Sequence, residues 1–173
     1  MIYPLASRLR VINDAGDRTP NVQRQVIHKL EIADNTPTAL FTITTTNEAG
    51  SSDGGAYLCR VTALVAHAAT SATTNAAAKA FAARFTRAMT GAGAGALGAV
   101  VEDHDDAAAD TDAAARSIGN VTLGVAETTE YQVTVSITVD LTGADVQTAE
   151  VVALVELFWT GFLTSPEIAP TLI

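Results

Sequence analysis

Along residues 131–141 apolar and polar side chains alternate without a break. Tyr131, Val133, Val135, Ile137, Val139 and Leu141 fall on one parity, and Gln132, Thr134, Ser136, Thr138 and Asp140 on the other. That period predicts a strand with one dry and one wet face, because a helix would scatter the same residues around its axis. At about 3.4 Å per residue the stretch spans roughly 37 Å, and its β-branched content suits a pleated, half-buried surface. A strand dry on one side belongs to an antiparallel sheet packed on a second sheet, rather than to a parallel sheet covered by helices on both faces.

The same reading extends along the chain. Residues 26–33 and 39–46 predict two strands around an Asp34-Asn35-Thr36-Pro37 turn, with Phe41 and Ile43 alternating with Thr42 and Thr44. Residues 47–55, rich in Gly, Ser and Asp, read as a loop. In 56–69, Tyr57, Cys59, Val61, Ala63, Val65 and His67 share one parity, while Leu58 and Leu64 on the other predict a second face that is also partly covered.

Residues 75–89 fit two templates. Phe81, Ala83, Phe85 and Met89 keep period two, whereas Ala77, Phe81, Phe85 and Met89 recur every four residues, and alanine favours a helix. Strand is the reading adopted, because the neighbouring segments are strands and a sheet needs a partner there. Residues 91–98 read as a glycine-alanine loop and 102–112 as an acidic one, with a short strand at 99–101 between them. A strand interrupted or bulged at Gly119-Asn120 is expected in 113–124. In 146–158, Val152, Leu154 and Phe158 lie on one parity and Val151, Val155, Leu157 and Trp159 on the other, which places this strand in the middle of a sheet.

Residues 1–25, with Pro4 and Pro20, and 161–173, with Pro166 and Pro170, show neither period. They read as an extended N-terminal arm and an irregular tail flanking an all-β antiparallel sandwich domain at 26–160.

Composition narrows the functional classes. A chain of 173 residues suits one domain with a sizeable core, and the single cysteine, Cys59, excludes an intramolecular disulfide. No apolar run has the length of a signal peptide or a membrane span, so a soluble protein made in a cytoplasm, without a membrane partner, is expected. The net charge is -9. It is unevenly spread: Arg8, Arg10, Arg18 and Arg24 against Asp14 and Asp17 leave residues 1–25 at +2 and the remainder at -11. An acidic body repels phosphate, which argues against a nucleic-acid partner.

Candidate chemistry is sparse. Gly93, Gly95 and Gly98 match the spacing of a dinucleotide fingerprint, but Glu102, Asp103, Asp105 and Asp106 follow where a helix N-terminus would have to hold phosphate. The same acids with Asp110 and Asp112 offer oxygen ligands for calcium, and His104 a nitrogen for a transition metal. Their spacing departs from the EF-hand loop, and a solvated loop with no metal or cofactor is the reading adopted. Cys59, mid-strand, reads as a buried inert thiol; His28 and His67 sit in strands without a nucleophile at a recognisable spacing. No catalytic residue is assigned, and no enzyme activity is expected.

The run from Ile32 to Ile43, with its Asp-Asn-Thr turn and Phe-x-Ile strand, then the Gly54-Gly55 loop and the long strand at 57–65, resembles the opening of small tailed-bacteriophage virion proteins. The later order of acidic loop, strand near Val121 and two long strands is similar too. The resemblance implies a jelly-roll-like sandwich of about eight strands. It further implies a capsid decoration (cement) protein standing as a homotrimer on the major capsid protein of a phage shell, assembled in the host cytoplasm and carried on the virion. Arg8, Arg10, Arg18 and Arg24 would then be intersubunit or shell contacts. The alternative is a tail or fibre component, or a carbohydrate-binding module for host recognition, using loops 47–55 and 91–112.

Overall fold

The computed structural model describes residues 7–10, 21–47, 54–67, 77–89, 95–110, 116–129, 131–143, 148–161 and 163–171. Every regular element among them is a strand: β1 (Ser7–Arg10), β2 (Asn21–Ala33), β3 (Thr38–Asn47), β4 (Gly55–His67), β5 (Ala77–Met89), β6 (Gly95–Leu97), β7 (Val101–Asp105), β8 (Ala109–Asp110), β9 (Arg116–Thr129), β10 (Gln132–Gly143), β11 (Thr148–Gly161) and β12 (Leu163–Pro170). They form two antiparallel sheets. The larger runs β1-β2-β11-β4-β5-β6, with β7 and β8 also paired to β5, and the smaller runs β12-β3-β10-β9.

The alternation at 131–141 becomes β10, whose Val133, Val135, Ile137, Val139 and Leu141 are buried in one core with side chains of both sheets. Tyr131 is the exception, lying exposed in the turn before the strand. Residues 77–89 are the strand β5. Period two prevails over period four because Ala77, Lys79, Phe81, Ala83, Phe85, Arg87 and Met89 all point inward while the alternate positions point out. The middle position of 146–158 holds as well, since β11 lies between β2 and β4.

Bulges adjust the register where the chain demands it. Between β9 and β10 the pairing slips at Gly119-Asn120, opposite Asp140. In β3 the slip admits Leu40 as an extra residue, so that Leu40 and Phe41 are both buried. In β2 the slip against β11 falls at Leu30-Glu31, where Glu31 takes a φ of 58°, a left-handed conformation costly for a side chain with a Cβ. The Asp34-Asn35 turn is tied to β10: Leu141 N donates to Asp34 Oδ1 at 2.7 Å and Asn35 N to Val139 O at 2.9 Å.

Several expectations need correction. Ser7–Arg10 is an edge strand of the larger sheet and β2 begins at Asn21, so residues 21–25 belong to the sandwich rather than to an arm. The tail contributes β12, which pairs with β3. The acidic stretch is not a free loop, because Val101–Asp105 and Ala109–Asp110 pair with β5; Gly95–Leu97 pairs there too. Backbone pairing with an open strand edge outweighs the turn-prone composition of these segments. The described residues thus contain twelve strands, eight of them of eight residues or more, and the four shorter ones all extend the larger sheet.

Candidate interaction surface

The two sheets differ on the faces they turn away from each other. On the smaller sheet the outward positions of β10 are Gln132, Thr134, Ser136, Thr138 and Asp140, the polar half of the alternation. On the larger sheet, Val26 and Leu30 of β2, Leu64 of β4, and Val152 and Leu154 of β11 point outward and are 39–53% exposed. The cover expected over Leu64 and its neighbours is absent among the described residues.

Register sets these side chains in rows across the sheet. Val26, Leu154, Thr62 and Ala82 make one row, and His28, Val152, Leu64 and Ala80 the next. A charged row, Arg24, Glu156, Arg60 and Arg84, borders them on one side. Beyond it lie Val22, Phe158, Leu58 and Thr86.

The charges have a pattern of their own. Arg24 Nε sits 2.7 Å from Glu156 Oε1, His28 Nε2 lies 2.5 Å from Glu150 Oε1, and Arg84 pairs with Asp103 of β7. Arg60 has no carboxylate within ion-pair distance among the described residues; its guanidinium carbon lies 5.7 Å from the Phe158 ring centroid, a cation–π contact. A cavity of about 530 Å³ opens on the same face beside this pair, lined by Leu58, Thr86, Ala88, Leu97, Phe158 and Thr160 among others. Apolar rows framed by separated charges make a surface suited to protein contact, where aromatic and arginine side chains concentrate binding energy.

The inner side of the larger sheet holds polar groups that alternation alone did not reveal. Lys79 and Arg87 share the parity of Phe81 and Phe85, so they enter the sandwich and require partners. Lys79 Nζ donates to Gly119 O at 2.5 Å and pairs with Asp105 at 2.9 Å, which explains why the bulge presents a carbonyl there. Arg87 Nε lies 3.1 Å from Glu127 Oε1. Lys29 Nζ donates to Thr171 O at 2.8 Å. The only signal in sequence was a charge interrupting an otherwise apolar parity.

Burial pushes the Tyr57 hydroxyl well above its ordinary pKa, partly offset by the neighbouring Arg87 guanidinium. Burial also pushes up the Cys59 thiol, so it stays protonated and unreactive in the folded chain.

The residues singled out from sequence fall as follows. Arg24 lies on β2 and is engaged by Glu156 of its own chain. Arg8 and Arg10 lie on β1 opposite Gln23 and Asn21; their side chains, and Arg18 altogether, fall outside the described residues. The loop surfaces at 47–55 and 91–112 are described only in part. The acids of the second are spread by the strand: Asp103 reaches Arg84, Asp105 reaches Lys79, and His104 Nε2 lies 2.9 Å from Asp106. Among the described residues no three potential metal ligands converge. Gly98 leads through Ala99 and Val100 into a strand, not a helix.

No protein-family description matches the chain, and no curated protein sequence does. Among solved structures, the tailspike protein of Acinetobacter baumannii phage AM24 aligns with a TM-score of 0.38 and 11% identity over 87% of this chain. The chain spans 28% of the length of that protein. A likeness at this level carries no functional argument.

Proposed function

We propose that this protein is a non-enzymatic structural component that works by attachment to other proteins, and that the outer face of the larger sheet is its contact surface. The observation that carries the reading is the contrast between the faces: Thr and Ser line the outward side of β10, while Val26, Leu64, Val152 and Leu154 line that of the larger sheet. A large exposed apolar area on a body otherwise able to bury its core marks a surface that is covered in use.

The resemblance in the Asp-Asn-Thr turn and the strands after it supports a phage particle as the setting. The specific role proposed is decoration of the capsid shell, with the segment before β2, bearing Arg8, Arg10 and Arg18, as an additional tether and three-fold assembly on the shell. Purified particles test this. Decoration requires hundreds of copies of the chain per particle, lost on Leu64→Asp; a handful of copies assigns the protein to the tail, and none removes it from the virion. The tail reading draws on the cavity beside Phe158, a partly exposed ring able to stack on a sugar, an aromatic that neither loop expected to recognise a host supplies.

A further inference from the structure

We infer that the outer face of the larger sheet is occupied by a second copy of this chain, packed about an axis parallel to the strands so that like rows of the two copies meet. This rests on the reading of that face as a contact surface, and it names the partner.

The face is divided by charge. Its β4–β5 half carries Arg60 and Arg84 and no carboxylate, whereas its β2–β11 half carries Glu150 and Glu156 beside Arg24 and His28. An axis along the strands between β11 and β4 lays the first half of one copy over the second half of the other. Row by row, Arg60 then meets Glu156 of the partner subunit, Leu64 meets Val152 of the partner subunit, and Leu58 meets Phe158 of the partner subunit; at the outer strands Arg24 faces Arg84 of the partner subunit, and each of these arginines is already paired with a carboxylate of its own chain, Arg24 with Glu156 and Arg84 with Asp103. Each contact occurs twice, which is the self-complementarity required of a symmetric interface.

The extent is sufficient. Strands β2, β11, β4 and β5 are thirteen or fourteen residues long. At about 4.8 Å between strands and 3.4 Å per residue they make a face of roughly 800 Å², which matches the roughly 800 Å² per partner of a stable interface. Aligned packing of two such faces places apolar rows on both sides of a single charged row. Arg60 has the geometry of a donor awaiting an acceptor, since its guanidinium lies over Phe158 with no carboxylate of its own chain within ion-pair distance among the described residues.

Sedimentation velocity of the full chain over a range of concentration tests the inference. The wild type should sediment as a dimer. Leu64→Asp should sediment as a monomer while keeping a cooperative melt, and Arg60→Glu should weaken association about tenfold, the scale of one charge-assisted contact. Glu156→Arg should do the same, and Arg60→Glu with Glu156→Arg in one chain should restore association by reversing the pair across the interface. A monomeric wild type, an oligomer indifferent to Leu64→Asp, or a double variant no better than either single one overturns it. The two readings fail separately: a monomeric wild type whose particle attachment is abolished by Leu64→Asp removes only the second copy, and a self-associating chain absent from particles removes only the virion role.

Discussion

The outward faces of the two sheets were built by the same alternation and came out opposite. On β10 every second residue is Thr, Ser, Gln or Asp, so burial of the other parity leaves a wet surface and satisfies the strand. On β11 the second parity carries Val152, Leu154 and Phe158 among Glu150 and Glu156, flanked by Val26 and Leu64, and this side of the strand is left partly apolar. Each of these half-exposed aliphatic side chains forgoes about half of the roughly 1.5–3 kcal/mol that full burial would give. The difference teaches that period two reports which face is core, while the residues on the remaining parity report whether that face meets water or another protein.

Substitutions on the inner side, in the Asp34-Asn35 turn and on the two outer faces separate these roles, beginning with the largest effect. Phe81→Ala, on the inner side of the larger sheet, should cost about 3–5 kcal/mol through lost burial and the cavity left behind, read from urea denaturation midpoints. Removing the tie between the Asp34-Asn35 turn and β10 by Asp34→Ala should cost about 1–2 kcal/mol, because Leu141 N loses its acceptor. Alkaline titration probes the same inner side through Tyr57. Its folded pKa is raised by burial above the value of about 10 in an unfolded chain. The unfolded tyrosine therefore ionises first: the Tyr57 contribution to stability is intact below about pH 10 and is lost as pH rises through the folded value. Tyr57→Phe should lessen that loss in denaturation measured between neutral and strongly alkaline pH.

The outer faces should respond less in stability. Leu64→Asp measured in dilute, monomeric conditions should cost about 1 kcal/mol, the partial burial it gives up, and Thr134→Asp on the smaller sheet about 0.5 kcal/mol. What divides them is association, which only Leu64→Asp should affect.

Much of the fold is legible in the order of apolar and polar residues. The alternation in 131–141 locates a central strand of the smaller sheet, the doubled apolar parity of 146–158 locates the middle of the larger one, and Gly119-Asn120 marks a true bulge. Asp34-Asn35 marks a true turn because an Asx side chain substitutes for backbone partners there. The extra edge strands are hidden, since pairing of 101–105 and 109–110 with β5 depends on where the β5 edge lies and not on the local acidic composition. The partners of Lys79 and Arg87 are hidden for the same reason: Gly119 O and Glu127 come from β9, forty residues away in each case. The contact surface is half legible. Leu58 and Leu64 announce a second apolar face, but a single chain cannot say whether its own residues or another molecule's will cover it.

Cys59 makes the most direct measurement possible, because its buried, protonated thiol gives little labelling background in the folded protein. Single cysteines placed at Leu64 and at Thr134, one on each outward face, can be labelled with a maleimide in dilute and in concentrated protein. The structure predicts that Leu64→Cys is labelled readily when dilute and is protected as concentration rises, while Thr134→Cys is labelled at one rate throughout. Equal labelling of the two sites at every concentration would contradict the claim that the outer face of the larger sheet is a surface for another copy of the chain.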